Sequence, residues 1–321
     1  MASATDVLHH LVTEAGLPAV ASATPLTGYG FDHEILHAVL TDGREVVLRH
    51  RPASYASPSP AAPDPSSATG APASPTHILY RRAEFLAAYD VPAPALLAAT
   101  AEAGLYEYAP GDMLLTLIEQ RRMTDQAWHS VGTAFRRLHA VHFPKRLTGA
   151  FGNGTFDLDL TDPVRTQHEL LDKARLELVG DHLPKLHALI DQYADQLRET
   201  PTALLHRDVY PANLIVGPDR TMLIDWDSPQ VGDPGIEIAA LEEHVYLLGA
   251  EIPPAFYTAY GHRPATTALH RVTGAIGWLA EGWLDDWAED TLDPVRSSKA
   301  TSWRSGLQTY LSTLPELLRQ A

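Results

Sequence analysis

The chain of 321 residues has no cysteine, and only 24 Lys and Arg stand against 40 Asp and Glu, for a formal net charge of −16. Without cysteine there is no disulfide framework, no thiolate metal site and no cysteine nucleophile, and a reducing compartment is the natural home. Long apolar runs are lacking too. No stretch approaches the ~18 apolar residues of a membrane span, and Met1 to Val20 has neither the basic start nor the apolar core of a secretory leader. A cytoplasmic protein with no membrane partner is therefore expected. Basic residues cluster no further than pairs such as Arg81-Arg82, and so acidic a chain repels a phosphate backbone, which argues against a nucleic-acid partner. The length accommodates one two-lobed domain or two ordinary ones.

Proline, alanine and serine fill 20 of the 25 positions from 52 to 76. That composition cannot bury a core, so the segment reads as a disordered, solvent-exposed insert between a β-rich start and a helix-rich remainder. Ahead of it, Ser22–Thr27, Glu34–Leu40 and Glu45–Arg49 are β-branched or alternate apolar with polar residues. Gly28-Tyr29-Gly30 and Asp42-Gly43 punctuate them, predicting three antiparallel strands joined by two turns. Beyond the insert, Ser74-Pro75 forms an N-cap and first-turn pair for a helix to Tyr89, stopped by Val91-Pro92-Ala93-Pro94. Leu96–Ala101 and Leu105–Tyr108 read as two more strands. Ala109-Pro110-Gly111 then separates a small region, 1–109, from a larger one, 110–321. In the latter, Trp128, Val131, Phe135 and Leu138 share one helical face, as do Leu183, Leu186, Ile190 and Leu197.

Chemistry concentrates where short apolar runs, Ala203–Leu205, Leu214–Val216 and Met222–Ile224, flank polar residues. His206-Arg207-Asp208 is followed by Asn213 and, twelve residues beyond it, by Asp225-Trp226-Asp227. A loop presenting one carboxylate and one carboxamide, followed by a hairpin that returns a second carboxylate, suits Mg²⁺, which takes one or two carboxylates plus substrate phosphates. A carboxylate left off the metal can orient a hydroxyl and accept its proton. The histidines, including His9-His10, His139 and His142, show no metal-ligand spacing.

This ordered set resembles the catalytic loop and metal-binding Asp of the protein-kinase-like fold. Ile224-Asp225-Trp226-Asp227, followed by Gly232-Asp233-Pro234 and Glu237, is similar to the aminoglycoside phosphotransferase and choline kinase group. Val91-Pro92-Ala93-Pro94, Tyr106-Glu107-Tyr108-Ala109-Pro110-Gly111 and Leu138-His139-Ala140 fall where that group has a strand lead-in, an interlobe hinge and a helix ending in Leu-His. The resemblance implies an α+β, bilobal fold with a small β-rich N-lobe and a larger, mostly helical C-lobe. It further implies ATP and Mg²⁺ as cofactors, Asp208 as catalytic base, His206 as a brace of the loop, and Asn213 and Asp225, with Asp227 beside them, as metal ligands. Glu107 and Tyr108 would meet the nucleotide at the hinge, and Gly28 and Gly30 would cover its phosphates.

Two features depart from the pattern. Small-molecule members commonly have Gly where Arg207 stands, so the triplet reads like a protein kinase. Only seven residues separate Asp225 from Asp233, however, and no Ala-Pro-Glu follows, which leaves no room for a protein kinase's activation segment and favours a small-molecule acceptor. Arg49, in Val46-Val47-Leu48-Arg49, occupies the position of the usual phosphate-pairing lysine, a role a guanidinium can fill bidentately. Its acidic partner is expected on the following helix, where Glu84 is the candidate.

The acceptor is expected at the C-terminal helices, which differ most within the group. Residues 278–290 hold three Trp and five acids with no base, and on a helix Trp283 and Trp287 stack while Asp286 and Asp290 form a neighbouring row. Aromatic faces with carboxylates suit an ammonium-bearing acceptor; the same pattern also fits a core face backed by a solvated one. The expected function is ATP- and Mg²⁺-dependent phosphorylation of a hydroxyl on a small amine-bearing molecule. Choline, ethanolamine, a macrolide, an amino alcohol or a sugar are alternative acceptors, and a non-catalytic nucleotide-binding protein is the rival of another class. A hydrolase ranks last, since Gly-x-Ser-x-Gly is missing.

Overall fold

Ser3 opens the first helix, α1 (Ala4–Glu14), through a reciprocal cap in which it accepts from the Asp6 N–H while the Asp6 carboxylate accepts from its own. No sequence expectation covered this helix. Its buried Leu8, Leu11 and Val12 pack on a five-stranded antiparallel sheet in the order β1-β2-β3-β5-β4. The strands are β1 (Val20–Pro25), β2 (Glu34–Leu40), β3 (Glu45–His50), β4 (Leu96–Ala99) and β5 (Ala103–Glu107). Alternation does the sorting: Leu36, Ala38 and Leu40 on β2 and Val46 and Leu48 on β3 point into one core with Leu105. Between β3 and β4 comes α2 (Pro75–Ala88), capped by the Ser74 hydroxyl as the Ser-Pro pair predicts.

The computed structural model describes residues 3–26, 33–51, 73–173, 182–280, 282–289 and 294–312. Gly28, Gly30, Asp290 and most of the 52–76 insert lie outside the described residues. The chain divides into two units. The first comprises Met1–Gly111, Phe151–Asp157 and Met222–Ile224, and the second Asp112–Ala150, Leu158–Thr221 and Asp225–Ala321. Within the first, Phe156 touches both Phe85 on α2 and Phe151, and the Leu223 N–H donates to the Pro92 carbonyl.

Helices dominate the second unit. After β6 (Asp112–Met113) come α3 (Leu114–Glu119) and α4 (Asp125–His139), whose Trp128, Val131, Phe135 and Leu138 are buried as the spacing predicts. A second sheet follows the order β7-β10-β13-β8-β9, from β7 (His142–Phe143), β8 (Leu147–Gly152), β9 (Thr155–Leu160), β10 (Thr202–Leu205) and β13 (Gln230–Gly232). β11 (Leu214–Val216) pairs antiparallel with β6, and a turn closed by the Gly217 N–H on the Arg220 carbonyl leads to β12 (Thr221–Leu223). The apolar face from Leu183 to Leu197 belongs to two helices, α5 (Pro163–Lys173) being followed by α6 (Leu183–Gln192) and α7 (Ala194–Glu199), with Tyr193 at the break. The C-terminal set is α8 (Pro234–Leu247), α9 (Pro254–Tyr260), α10 (Thr267–Ala280), α11 (Trp283–Ala288) and α12 (Pro294–Ser312). Gly282, at φ 80°, parts α10 from α11, so Trp278 and Trp287 sit on different helices. Among the described residues no helix is long and apolar enough to cross a membrane.

Candidate active site

β10 is wholly buried between β7 and β13, and its four apolar or small residues deliver the polar loop that follows at a fixed point. His206, 1% exposed, turns inward: its Nδ1 accepts from the Asp208 N–H at 3.3 Å, and its ring meets the buried Trp226 edge-on at 4.4 Å between centroids. One imidazole thus steadies both the loop and the Asp225-Trp226-Asp227 segment. Asp208 itself is exposed. Asn213, in the 3-10 turn Pro211–Asn213, donates from Nδ2 to the Asp208 carbonyl at 3.0 Å and to Asp208 Oδ2 at 2.8 Å. Both bonds use the amide nitrogen, so the carboxamide oxygen is directed elsewhere.

The loop carries backbone strain at two points. Arg207 has φ 72° and Asp225 φ 67°, left-handed values that cost a residue with a Cβ about 1–2 kcal/mol. Arg207 therefore occupies a conformation natural to glycine. Its peptide is held by the buried Glu237 on α8, whose Oε1 accepts the Arg207 N–H at 2.6 Å. Glu237 Oε2 lies 2.9 Å from Nε2 of the buried His139 at the end of α4, and His139 Nδ1 is 2.8 Å from the Tyr260 hydroxyl on α9. With the carboxylate accepting, His139 Nε2 carries a hydrogen, and in the neutral ring Nδ1 accepts from the Tyr260 hydroxyl. Burial, followed by the charges of Glu237 and Asp233, holds the Tyr260 phenol far above its ordinary value and keeps it a donor.

Asp233 caps α8, accepting from the Gly235 N–H at 2.7 Å, Thr266 Oγ1 at 3.0 Å and His270 Nε2 at 2.9 Å. Burial alone would raise its pKa, but the His270 bond and charge and the two further donors outweigh it and hold the carboxyl below its ordinary value. Gly235 is required by close approach, since a Cβ there would lie 2.3 Å from Thr266 Oγ1. This cap aims α8, and with it Glu237, at the loop.

Beside Asp208 the chain turns aromatic. The half-buried Tyr210 contacts His244 on α8 and Trp303 on α12 at 5.4 and 5.1 Å between centroids, and His244 also meets Trp278 on α10 at 4.9 Å. Burial, then the charges of Glu119 and Asp208, push the Tyr210 phenol up to about 12. Burial pushes His244 down to about 4. Of this group only Trp278 falls in the Trp-rich stretch, 278–290, read from the sequence as the acceptor region.

The remaining predicted residues stand as follows. Asp227 is exposed, and Asp225 is half-buried. Arg49 lies on β3 with Nη2 3.3 Å from His33 Nδ1. Glu84 is exposed on α2 and accepts from Arg81 on its own helix at 2.8 Å. Glu107 ends β5, and Tyr108 donates its N–H to the Glu45 carbonyl while its ring lies 4.6 Å from that of His37. Trp283 and Asp286 lie on α11, Asp286 exposed, and Trp287 packs partly buried against the C-terminal core.

Known proteins share this architecture. A TM-score of 0.61 at 15% identity relates the chain to aminoglycoside phosphotransferase APH(4)-Ia, covering 96% of this chain and 99% of that one. The macrolide 2'-phosphotransferase MphH of Brachybacterium faecium matches at 0.56 and 18% identity over 93% and 96% of the two chains. Choline kinase LicA of Streptococcus pneumoniae matches at 0.54 and 15% over 95% and 99%. In sequence, Protein LicA of Haemophilus influenzae is 29% identical over 87 residues, which is 27% of this chain and 33% of that protein's length. The model of the phosphotransferase enzyme family spans residues 30–275, and the chain is a member of that family, with a β-rich N-terminal region and a helical C-terminal one.

Proposed function

We propose that the protein is an ATP- and Mg²⁺-dependent kinase that phosphorylates a hydroxyl of a small amine-bearing molecule. The observation that carries this reading is the state of Asp208: exposed, bonded to Asn213, and set on a loop whose backbone is pinned by the buried Glu237. A carboxylate so held can orient an acceptor hydroxyl and take its proton as the phosphoryl group arrives. The Asn213 carboxamide oxygen and the Asp225 carboxylate, with Asp227 as a further ligand, are the hard oxygen donors Mg²⁺ prefers. Among the described residues no three His, Asp or Glu side chains gather as a metal cage, and an ion sharing its shell with substrate phosphates requires none. When bound, the ion supplies charge neutralisation for the transferring group. Arg49 is assigned to the upstream phosphates, Glu107 and Tyr108 to the nucleotide base, Gly28 and Gly30 to a phosphate cover, and Glu84 to the support of Arg49.

For the acceptor we assign the aromatic group beside the loop, Tyr210, Trp278 and Trp303, whose ring faces attract an ammonium. Trp283, Trp287, Asp286 and Asp290 form the second candidate set. Calorimetry of ATP binding tests the nucleotide half. Binding should need Mg²⁺ and weaken at least about tenfold in Asp225→Ala. Metal-independent binding without phosphoryl transfer would instead support a non-catalytic nucleotide-binding protein.

A further inference from the structure

Away from the catalytic loop, α5 and α6 carry the same pattern, His-x-x-x-Asp: His168 and Asp172 on one, His187 and Asp191 on the other. Four-residue spacing puts each pair on one helix face, and where the helices pack the pairs cross. His168 Nε2 lies 3.1 Å from Asp191 Oδ1, and His187 Nε2 lies 3.4 Å from Asp172 Oδ1. The two Nδ1 atoms face each other at 2.6 Å. The ring planes differ by only 21° and the centroids are 4.9 Å apart, the spacing of two imidazoles meeting end to end across that gap. The contact therefore runs along the line joining the rings, which is the axis of a nitrogen-to-nitrogen hydrogen bond.

An ionised carboxylate only accepts, so His168 Nε2, hydrogen-bonded to Asp191, carries a hydrogen. His187 Nε2 faces Asp172 as an ion pair at 3.4 Å, longer than a usual N–H···O bond, where a hydrogen on Nε2 is the attractive arrangement. Two neutral rings would then oppose Nδ1 lone pair to lone pair, and two imidazolium rings would oppose N–H to N–H. With both Nε2 atoms protonated, one proton between the Nδ1 atoms makes the contact attractive, an arrangement of one imidazole and one imidazolium between two carboxylates. A metal chelated by both rings would need their lone pairs to converge at an angle rather than meet head-on.

We propose that His168 and His187 share a single proton and, with Asp172 and Asp191, form a pH-sensitive clasp that fastens α5 to α6. The clasp loosens in both directions, when the shared proton leaves and when a second one arrives. Other charged groups on the elements packed here are Arg165, Glu169 and Lys173 on α5, Lys185 on α6, Asp195, Arg198 and Glu199 on α7, and His270 and Arg271 on α10. Among the described residues Arg165 pairs with Glu169, Arg198 with Asp162, Glu199 with Lys145, His270 with Asp233, and Arg271 with Glu242 and Glu243, and the two aspartates are the charges seen against the clasp rings.

Long-range ¹⁵N–¹H NMR of the histidine rings in the full chain, with EDTA present, reads the proton directly. The expected spectrum at neutral pH has both Nε2 atoms protonated and one far-downfield proton between the two Nδ1 atoms, lost in either His168→Asn or His187→Asn. A double-mutant cycle of these variants, from about pH 5 to about pH 9, should show coupling of about threefold or more in the unfolding constant that peaks at an intermediate pH and falls on both sides. Two neutral rings with no shared proton at any pH, a coupling flat in pH, or a contact that forms only with added Zn²⁺ would overturn the proposal. The wild-type spectrum decides even if a variant fails to fold.

Discussion

Removing the Glu237 carboxylate should damage the second unit more than any other single truncation near the loop. In Glu237→Ala the Arg207 N–H and the His139 Nε2–H both lose a charged acceptor inside a site where Glu237 is 2% exposed. Hydrogen bonds to charged groups are worth about 1.5–3 kcal/mol each, so the loss of two is about 3–6 kcal/mol. At about 2–4 °C per kcal/mol for a unit of this size, the melting transition should fall by roughly 6–24 °C in scanning calorimetry. Glu237→Gln should be far milder, at about 1 kcal/mol. Its carbonyl can still accept from Arg207, and its NH₂ can donate to His139 once that ring moves its proton to Nδ1 and donates to the Tyr260 oxygen. An alanine variant melting within about 2 °C of the parent, or a glutamine variant as damaged as the alanine one, would refute this account of the network.

Gly235→Ala should cost about 1–3 kcal/mol in urea unfolding, because the new methyl meets Thr266 Oγ1 and breaks the Asp233 cap. Arg207→Gly should leave stability unchanged or raise it by up to about 1 kcal/mol, since φ 72° suits glycine and the N–H to Glu237 is retained; a loss above about 1 kcal/mol would count against the strain argument. Glu243 has 4% of its side chain exposed, and Arg271 Nε is 3.7 Å away; burial pushes its carboxyl up to about 7. The folded state therefore holds a proton that the unfolded chain releases from about 4.5 upward. The resulting stabilisation is full below that pH and is lost as pH rises through 7, by up to about 3 kcal/mol, a slope that Glu243→Gln should abolish.

Residues whose partners are close in sequence were the legible ones. The antiparallel β1-β2-β3 pairing, the Ser74 cap and the buried face of α4 follow from alternation, capping chemistry and helical spacing. Asp208 and Asn213, named from the order of the motif, lie five residues apart and are hydrogen-bonded within one loop. What joins them to the rest was not readable in the same way. Glu237 and His139 are 98 residues apart in the chain, so their motifs were visible while the bond between them was not. The ring group of Tyr210, His244, Trp278 and Trp303 gathers from a loop and three helices, and the two His-x-x-x-Asp pairs acquire meaning only when α5 meets α6. In the Trp-rich stretch from 278, Trp283 and Trp287 share α11 as helical spacing expects, while Gly282 sets Trp278 on the helix before it.

Incubating the purified protein with ATP and Mg²⁺ against pooled aminoglycosides, choline, ethanolamine, macrolides, amino alcohols and sugars, read by mass spectrometry, tests the central claim most directly. An amine-bearing compound should gain one phosphoryl group, and Asp208→Ala should lower that turnover at least about a hundredfold while nucleotide affinity is nearly kept. Transfer undiminished in Asp208→Ala would contradict the assignment of the base, and silence across the panel with no Mg·ATP binding would contradict the kinase itself.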